Sequence, residues 1–304
     1  MDSAGVSATS ERKLMDFARE LVENGGPNPE DYMMINSFLD LLIETEDFDN
    51  KMPPELREIL EPTLNKDTMH GFAHTKPHGY SGDFEMIDRI YQEWKSPNPH
   101  LRRWDEYFHD LAAAKAVRNR KTYFKKMLVD LTASNNGSGS AVLNIGSGPG
   151  RDMLEFFETA DSPNIKIDCV DIDENAIAHA TRLCVDYMDK ITFHKRNIFR
   201  FRPEEKFDIV WSAGVFDYFS DRQFTMLVKR LYTYVKDGGE LVIGNFSTKN
   251  PSRPHMEIIS DWHLQHRDED HLKGMVIDAG VEPKNIRCDK ESEGVNLFLH
   301  IAKK

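Results

Sequence analysis

Val142-Leu143-Asn144-Ile145-Gly146-Ser147-Gly148-Pro149-Gly150 is the most informative stretch of this 304-residue chain. A short apolar strand runs straight into three glycines at alternate positions, and a helical pattern begins at about Asp152. Glycine tolerates positive φ and lets a ligand approach the backbone where a side chain would clash. In an open parallel sheet, ligands sit beyond the carboxyl ends of the strands, which is where this loop falls. A dinucleotide fingerprint, G-x-G-x-x-G, would need its third glycine at position 151, and Arg151 stands there. The spacing is G-x-G-x-G, so the dinucleotide reading fails.

Downstream, Cys169-Val170-Asp171-Ile172-Asp173 puts an acid at the end of a second strand. A carboxylate at that place can accept both hydroxyl hydrogens of a ribose. Asp173 suits the N-cap of the following helix. Asn197 ends a third strand, where its amide can meet an adenine edge or close a turn. Strand patterns at Ala141–Ile145, Ile165–Val170, Ile191–Phe193, Phe207–Ser212 and Leu241–Asn245 alternate with helical patterns, including Glu174–Asp186 and Asp221–Val235. That alternation predicts a parallel sheet with helices on both faces. The runs Ile286–Lys290 and Val295–Ala302 are joined by Glu291-Ser292-Glu293-Gly294, a link only long enough for a hairpin. The sheet is therefore expected to finish antiparallel.

Upstream, residues 10–130 read as successive helices. Met15, Phe17, Leu21 and Val22 form one apolar stripe, and Met34, Ile35, Phe38, Leu41 and Leu42 another. Pro53-Pro54 opens a third helix. The longest pattern runs from Asn98 to Asp130, with Leu101, Trp104, Phe108, Leu111, Val117, Tyr123, Phe124 and Leu128 as buried positions. The polar run Ala133–Ser140 reads as a linker. It divides a helical cap over 1–133 from a Rossmann-like domain over 141–304.

Composition narrows the partners. The chain is 39% hydrophobic and 30% charged, the balance of a globular protein. No apolar run reaches the roughly eighteen residues of a membrane span. The start, MDSAGVSATSERK, has no secretion-signal pattern. Cys169, Cys184 and Cys288 give neither a disulfide framework nor metal spacing, which places the chain in the cytoplasm with no metal. A net charge of −12 disfavours nucleic acid. The basic cluster Arg118-Asn119-Arg120-Lys121 with Lys125-Lys126 reads as a solvated helix face. A small molecule is the expected partner, and the oligomeric state is left open.

The glycine loop, the acidic strand end, the run Phe207-Asp208-Ile209-Val210-Trp211-Ser212 and the closing hairpin together resemble the class I S-adenosylmethionine-dependent methyltransferases. The resemblance implies a seven-stranded sheet with its last strand reversed, and S-adenosylmethionine as cofactor. It implies cofactor contacts from Gly146, Ser147, Gly148 and Gly150, from Asp171 and Ile172, from Asn197 and Ile198, and from Ser212. One departure is Asn144, where the family often has an acid. A narrower resemblance rests on four further pieces: His78–Met86, Ala116-Val117-Arg118-Asn119-Arg120, Ser212–Tyr218, and Asp261-Trp262-His263-Leu264 with Arg267. These resemble a bacterial methyltransferase group associated with biosynthesis of 3-hydroxy fatty acid methyl ester signals, or extracellular factor. The fold and cofactor carry over from it; the substrate is left open.

Methyl transfer needs alignment of donor and acceptor and exclusion of water. A carboxylate acceptor calls for a cationic clamp, with Arg118 first and Arg267 second. An amine or hydroxyl acceptor calls for a base, with His263 and Asp217 as candidates. Tyr80, Tyr123 and Tyr218 can line the pocket. The turn Gly79-Tyr80-Ser81-Gly82-Asp83 is the part of the cap expected nearest the ligand, with Asp83 as a substrate contact. Two other functions use the same residues. A cyclase or lyase would act on the cofactor's own aminocarboxypropyl chain and release methylthioadenosine. A binding module would hold the cofactor without turnover.

Overall fold

The computed structural model describes residues 3–43, 51–134, 138–160 and 163–304, with side chains from residue 12 onward. Seven strands form one sheet: β1 (Ser140–Ile145), β2 (Ile165–Asp171), β3 (Ile191–Lys195), β4 (Phe207–Ala213), β5 (Val235–Phe246), β6 (Ile286–Lys290) and β7 (Asn296–Ala302). Their order is β3-β2-β1-β4-β5-β7-β6. The first five pair in parallel, while β7 runs antiparallel to both β5 and β6. This is the expected Rossmann-like sheet with a reversed closing strand. The chain steps outward from β1 to β3 and then returns to the other side of β1 at β4, which makes the carboxyl ends of β1 and β4 the switch point.

The two-residue period of a strand sorts the apolar side chains onto two faces. Val142, Ile167, Ile209, Trp211, Val242 and Phe298 share one core. Leu143, Val170, Val210, Leu241, Ile243 and Leu299 share the other. The first core is closed by α7 (Ala112–Ser134) through Phe124 and Leu128, and by α8 (Arg151–Thr159) through Met153 and Phe156. The second is closed by α10 (Asp221–Tyr234) and α11 (Glu269–Asp278), through Leu227, Val228, Leu272 and Val276. Each such side chain contributes roughly 1.5–3 kcal/mol of burial. The remaining crossover helix is α9 (Glu174–Leu183).

The chain forms two compact units, Met1–Lys115 with Pro251–His263, and Ala116–Asn250 with Leu264–Lys304. This division differs from one placed at the polar linker. Most of α7 joins the sheet unit, because Phe124 and Leu128 are fully buried in its core. Residues 135–137 of that linker lie outside the described residues. The helical unit contains α1 (Ser3–Glu23), α2 (Tyr32–Ile43), α3 (Pro54–Leu60), α4 (Met69–Thr75), α5 (Phe84–Tyr91) and α6 (Pro99–Asp110). A π-helical turn, His255–Ile259, joins them from the segment after β5.

Two details of the helical reading need correction. The single pattern over Asn98–Asp130 is two helices, α6 and α7, broken at Leu111, whose backbone is extended at φ −55, ψ 136. In α2, Met34 and Leu41 are exposed, while Ile35, Phe38, Leu39 and Leu42 are buried, since those four fall on one stripe of the helix. No helix among the described residues is long and apolar enough to cross a membrane.

Candidate functional site

The loop after β1 is left-handed at every other residue, with φ +65 at Gly146, +56 at Gly148 and +77 at Gly150. An L-residue would pay roughly 1–2 kcal/mol for that conformation. Packing then separates the three. A Cβ on Gly146 would lie 2.1 Å from Val215 Cγ2, so the loop is pressed against the turn after β4. A Cβ on Gly150 would lie 2.9 Å from the Ala180 methyl of α9. A Cβ on Gly148 would meet nothing within 4 Å. The protein leaves that side of the loop open.

Beside the opening stands the acid of β2. Gly148 N–H donates to Asp171 Oδ2 at 3.1 Å, and Asp173 N–H donates to Asp171 Oδ1 at 3.0 Å. Each carboxylate oxygen keeps capacity for a further donor. Burial raises the Asp171 pKa above the usual carboxylate range, against the pull of those N–H groups. Asp173 caps α9, accepting from Asn175 N–H at 2.8 Å, so the two acids divide the work. Ile172 is exposed beyond them. Asn197 uses Oδ1 to close a turn onto Phe199 N–H at 2.9 Å, which leaves its amide NH2 for other contacts.

Other members of the set face inward. The Ile198 side chain belongs to a hydrophobic core. Ser212 is fully buried and donates from Oγ to Ile145 O at 3.2 Å, tying β4 to β1. Ser147 is buried. Asn144 is 2% exposed, and its Nδ2 has no hydrogen-bond partner. An orphaned buried amide costs roughly 1–3 kcal/mol.

Arg120 does not belong to a solvated basic face. It is 7% exposed, on the face of α7 that carries Phe124 and Leu128 at four-residue spacing. Its neighbours Lys121 and Lys125 do behave as a surface pair, both bonded to Glu155. Arg120 acts electrostatically on Asp152 and Asp217, yet burial raises each carboxyl to a pKa of about 6. The four-residue spacing from two apolar positions was the sequence signal for a buried arginine.

Several expected contacts take structural tasks instead. Asp217 is 1% exposed, accepts from Phe246 N–H at 2.6 Å, and offers its own carbonyl to Gln265 N–H at 2.7 Å. It fastens the turn after β4 to the end of β5. Arg267 is 1% exposed and donates to Asn245 Oδ1 at 2.8 Å, Phe216 O at 3.3 Å, Phe219 O and Asp221 Oδ1. Its guanidinium is committed to the fold. The Tyr123 hydroxyl bonds His300 Nε2 at 2.7 Å and Asp289 Oδ2 at 3.0 Å, beside a cleft that includes Asp208, Gly238 and Gly239. Those residues mark the amino-terminal ends of β4 and β5, opposite the glycine loop. Asp83 is 2% exposed and caps α5, accepting from Met86 N–H at 2.8 Å.

The remaining candidates keep side chains that reach solvent. Tyr218 is exposed in the sheet unit, and Arg118 is half-buried on α7. Tyr80 is exposed in the helical unit, between Gly79 and Gly82, both at positive φ. His263 also belongs to the helical unit and is 44% exposed, with Nε2 3.0 Å from Asp261 Oδ1.

Residues 142–239, from β1 through the turn at Gly238-Gly239, match the family model of a methyltransferase domain. Over those residues the chain carries a methyltransferase domain, for which the resemblance above implies S-adenosylmethionine as cofactor. The residues present fit that group: an open glycine, a buried carboxylate beside it and an orphaned amide at the end of β1. Among solved structures, a possible exported protein from Bordetella parapertussis is similar over 100% of this chain and 99% of its own, at 19% identity and TM-score 0.60. Magnesium protoporphyrin IX methyltransferase from Synechocystis PCC 6803, solved with bound SAH, is similar over 77% of this chain and 97% of its own, at 13% identity and TM-score 0.53. Both likenesses are of fold. No curated protein matches the sequence.

Proposed function

We propose that this methyltransferase domain holds S-adenosylmethionine at the carboxyl ends of β1, β2 and β4 and acts on a small molecule with a carboxylate or hydroxyl acceptor. The observation that carries the reading is the Asp171 carboxylate docked on the N–H of Gly148 at 3.1 Å, a glycine whose missing Cβ would meet nothing. In this reading Asp171 takes the ribose hydroxyls, the backbone of Gly146–Gly150 lines the cofactor, Ile172 covers the base, and the Asn197 amide meets the adenine edge. Bound there, S-adenosylmethionine supplies an activated methyl group. The protein's own contribution is alignment and exclusion of water, worth roughly 7–11 kcal/mol for well-oriented reactants.

For the acceptor, the sheet unit offers Arg118 as the carboxylate clamp and Tyr218 as a lining residue. The narrower resemblance makes a hydroxy fatty acid the first acceptor to try, in a cytoplasmic biosynthetic role. Incubation with S-adenosylmethionine and an acceptor panel, followed by mass spectrometry, tests the reading. S-adenosylhomocysteine with a methylated acceptor supports it. Methylthioadenosine as product would replace it with a cyclase or lyase, and tight binding without turnover with a binding module.

A further inference from the structure

We infer that Arg120 is the anion anchor of this crevice and grips the carboxylate at the amino-acid end of the bound cofactor. The inference rests on the cofactor reading above and adds to it a residue outside the expected cofactor contacts.

The placement follows from α7. Phe124 and Leu128 are fully buried against the sheet, and Phe124 stacks on Trp211 of β4 with ring centroids 4.8 Å apart. Arg120 sits one turn nearer the helix start. α7 leads into β1 through a short connection and runs back along the sheet, so an earlier turn of α7 lies nearer the carboxyl ends of the strands. Gly214 follows β4 directly at that end. A Cβ on Gly214 would lie 2.6 Å from Arg120 Nη1, and its φ is +102, so no other residue suits the position. The adjoining Val215 is the side chain pressed against Gly146. The guanidinium, the β4 turn and the glycine loop are therefore neighbours.

Asp152 and Asp217 both sense its charge, but among the described residues no ion pair joins either to the guanidinium. A buried guanidinium whose N–H groups are bonded to no carboxylate can be satisfied by a bound one through two parallel N–H···O bonds. A second unsatisfied group lies close by. Asn144 faces the same core as Trp211, pairs with it in register, and has an orphaned Nδ2. The two ends of the crevice are thus chemically distinct. Asp171 on the β2 side suits hydroxyl donors, whereas Arg120 on the β4 side suits an anion. An adenosyl amino acid spanning β1 presents its ribose to the first and its carboxylate to the second.

Calorimetric titration with S-adenosylhomocysteine and with 5′-methylthioadenosine, which lacks the aminocarboxypropyl chain, separates the two ends. Arg120→Met should weaken S-adenosylhomocysteine binding roughly 10- to 150-fold, the range for a charge-assisted hydrogen-bonded contact, and leave methylthioadenosine within about twofold. Arg120→Lys should recover part of the loss. Unchanged S-adenosylhomocysteine affinity, or equal losses for both ligands, would overturn the assignment. Should Arg120→Met fail to fold, the parent protein decides alone: decarboxylated S-adenosylmethionine must bind at least about tenfold more weakly than S-adenosylmethionine, and equal affinities refute the anchor. A parent that binds none of these ligands refutes the cofactor site itself, which is a different result.

Discussion

Gly148→Ala separates the fold from the ligand more cleanly than any other single change in the loop. The new methyl meets no protein atom within 4 Å, so its cost to the fold is conformational. At φ +56 that cost is about 1–2 kcal/mol. For a protein of this size such a loss lowers the melting temperature by about 2–8 °C. The same methyl enters the space assigned to the ligand, where an overpacked group costs about 1–3 kcal/mol, a roughly 5- to 150-fold loss of affinity. Gly146→Ala is the contrasting variant. Its methyl would overlap Val215 Cγ2 at 2.1 Å, which adds roughly 1–3 kcal/mol of overpacking to the same backbone strain. Thermal melts should rank parent above Gly148→Ala above Gly146→Ala, and a Val215→Ala partner change should restore part of the last. Titration with S-adenosylhomocysteine should show Gly148→Ala impaired despite its better stability. A Gly148→Ala protein that melts lower but binds as tightly as the parent would mean that no ligand approaches the loop there.

Further outcomes follow from the buried charges. Burial holds Asp152 and Asp217 neutral in the folded protein up to about pH 6, against an ordinary value of 3.8. The fold therefore keeps protons that the unfolded chain releases, so the stability these groups contribute is complete below pH 3.8 and is lost as pH rises to about 6. Each accounts for up to about 3 kcal/mol, and Asp217→Asn, which still accepts from Phe246 N–H, should flatten the decline between pH 4 and 6 in denaturant titrations; an unchanged slope counts against it. Arg267→Met strands several buried acceptors and should destabilise by about 3–5 kcal/mol, with a variant of parental stability showing that the network is idle. Tyr123→Phe should cost about 0.5–1.5 kcal/mol of stability and leave cofactor affinity unchanged, since its hydroxyl serves His300 and Asp289; a binding defect would place it in the site after all.

The sheet was legible because its information is local. Alternating apolar residues, a G-x-G-x-G bend and a four-residue link before the last strand each dictate geometry through backbone sterics within a few residues. The Asp171 assignment was legible for the same reason, as an acid at a strand end next to a better helix cap. Arginines and tyrosines were not, because their roles depend on what lies across the fold. Arg267, Asp217 and Tyr123 carry the chemistry of a site, but their partners, Asn245, Phe246 and His300, are brought close only by tertiary pairing. The sequence also hid Arg120 inside a cluster of bases whose other members are surface groups. Its spacing from Phe124 and Leu128 hints at burial, but its surroundings show only once α7 is laid on the sheet and Gly214 is seen to lack a side chain where the guanidinium rests. The segment Pro251–His263 carried no mark of its membership in the helical unit, since its partners lie more than a hundred residues earlier.

Titration of S-adenosylhomocysteine into the parent protein and into Asp171→Ala, with Asp173→Ala alongside, addresses the cofactor site most directly. Saturable binding by the parent, weakened roughly 10- to 150-fold in Asp171→Ala and little changed in Asp173→Ala, is the result expected for a carboxylate that holds the ribose. No binding by the parent, or equal affinity in Asp171→Ala, would contradict it.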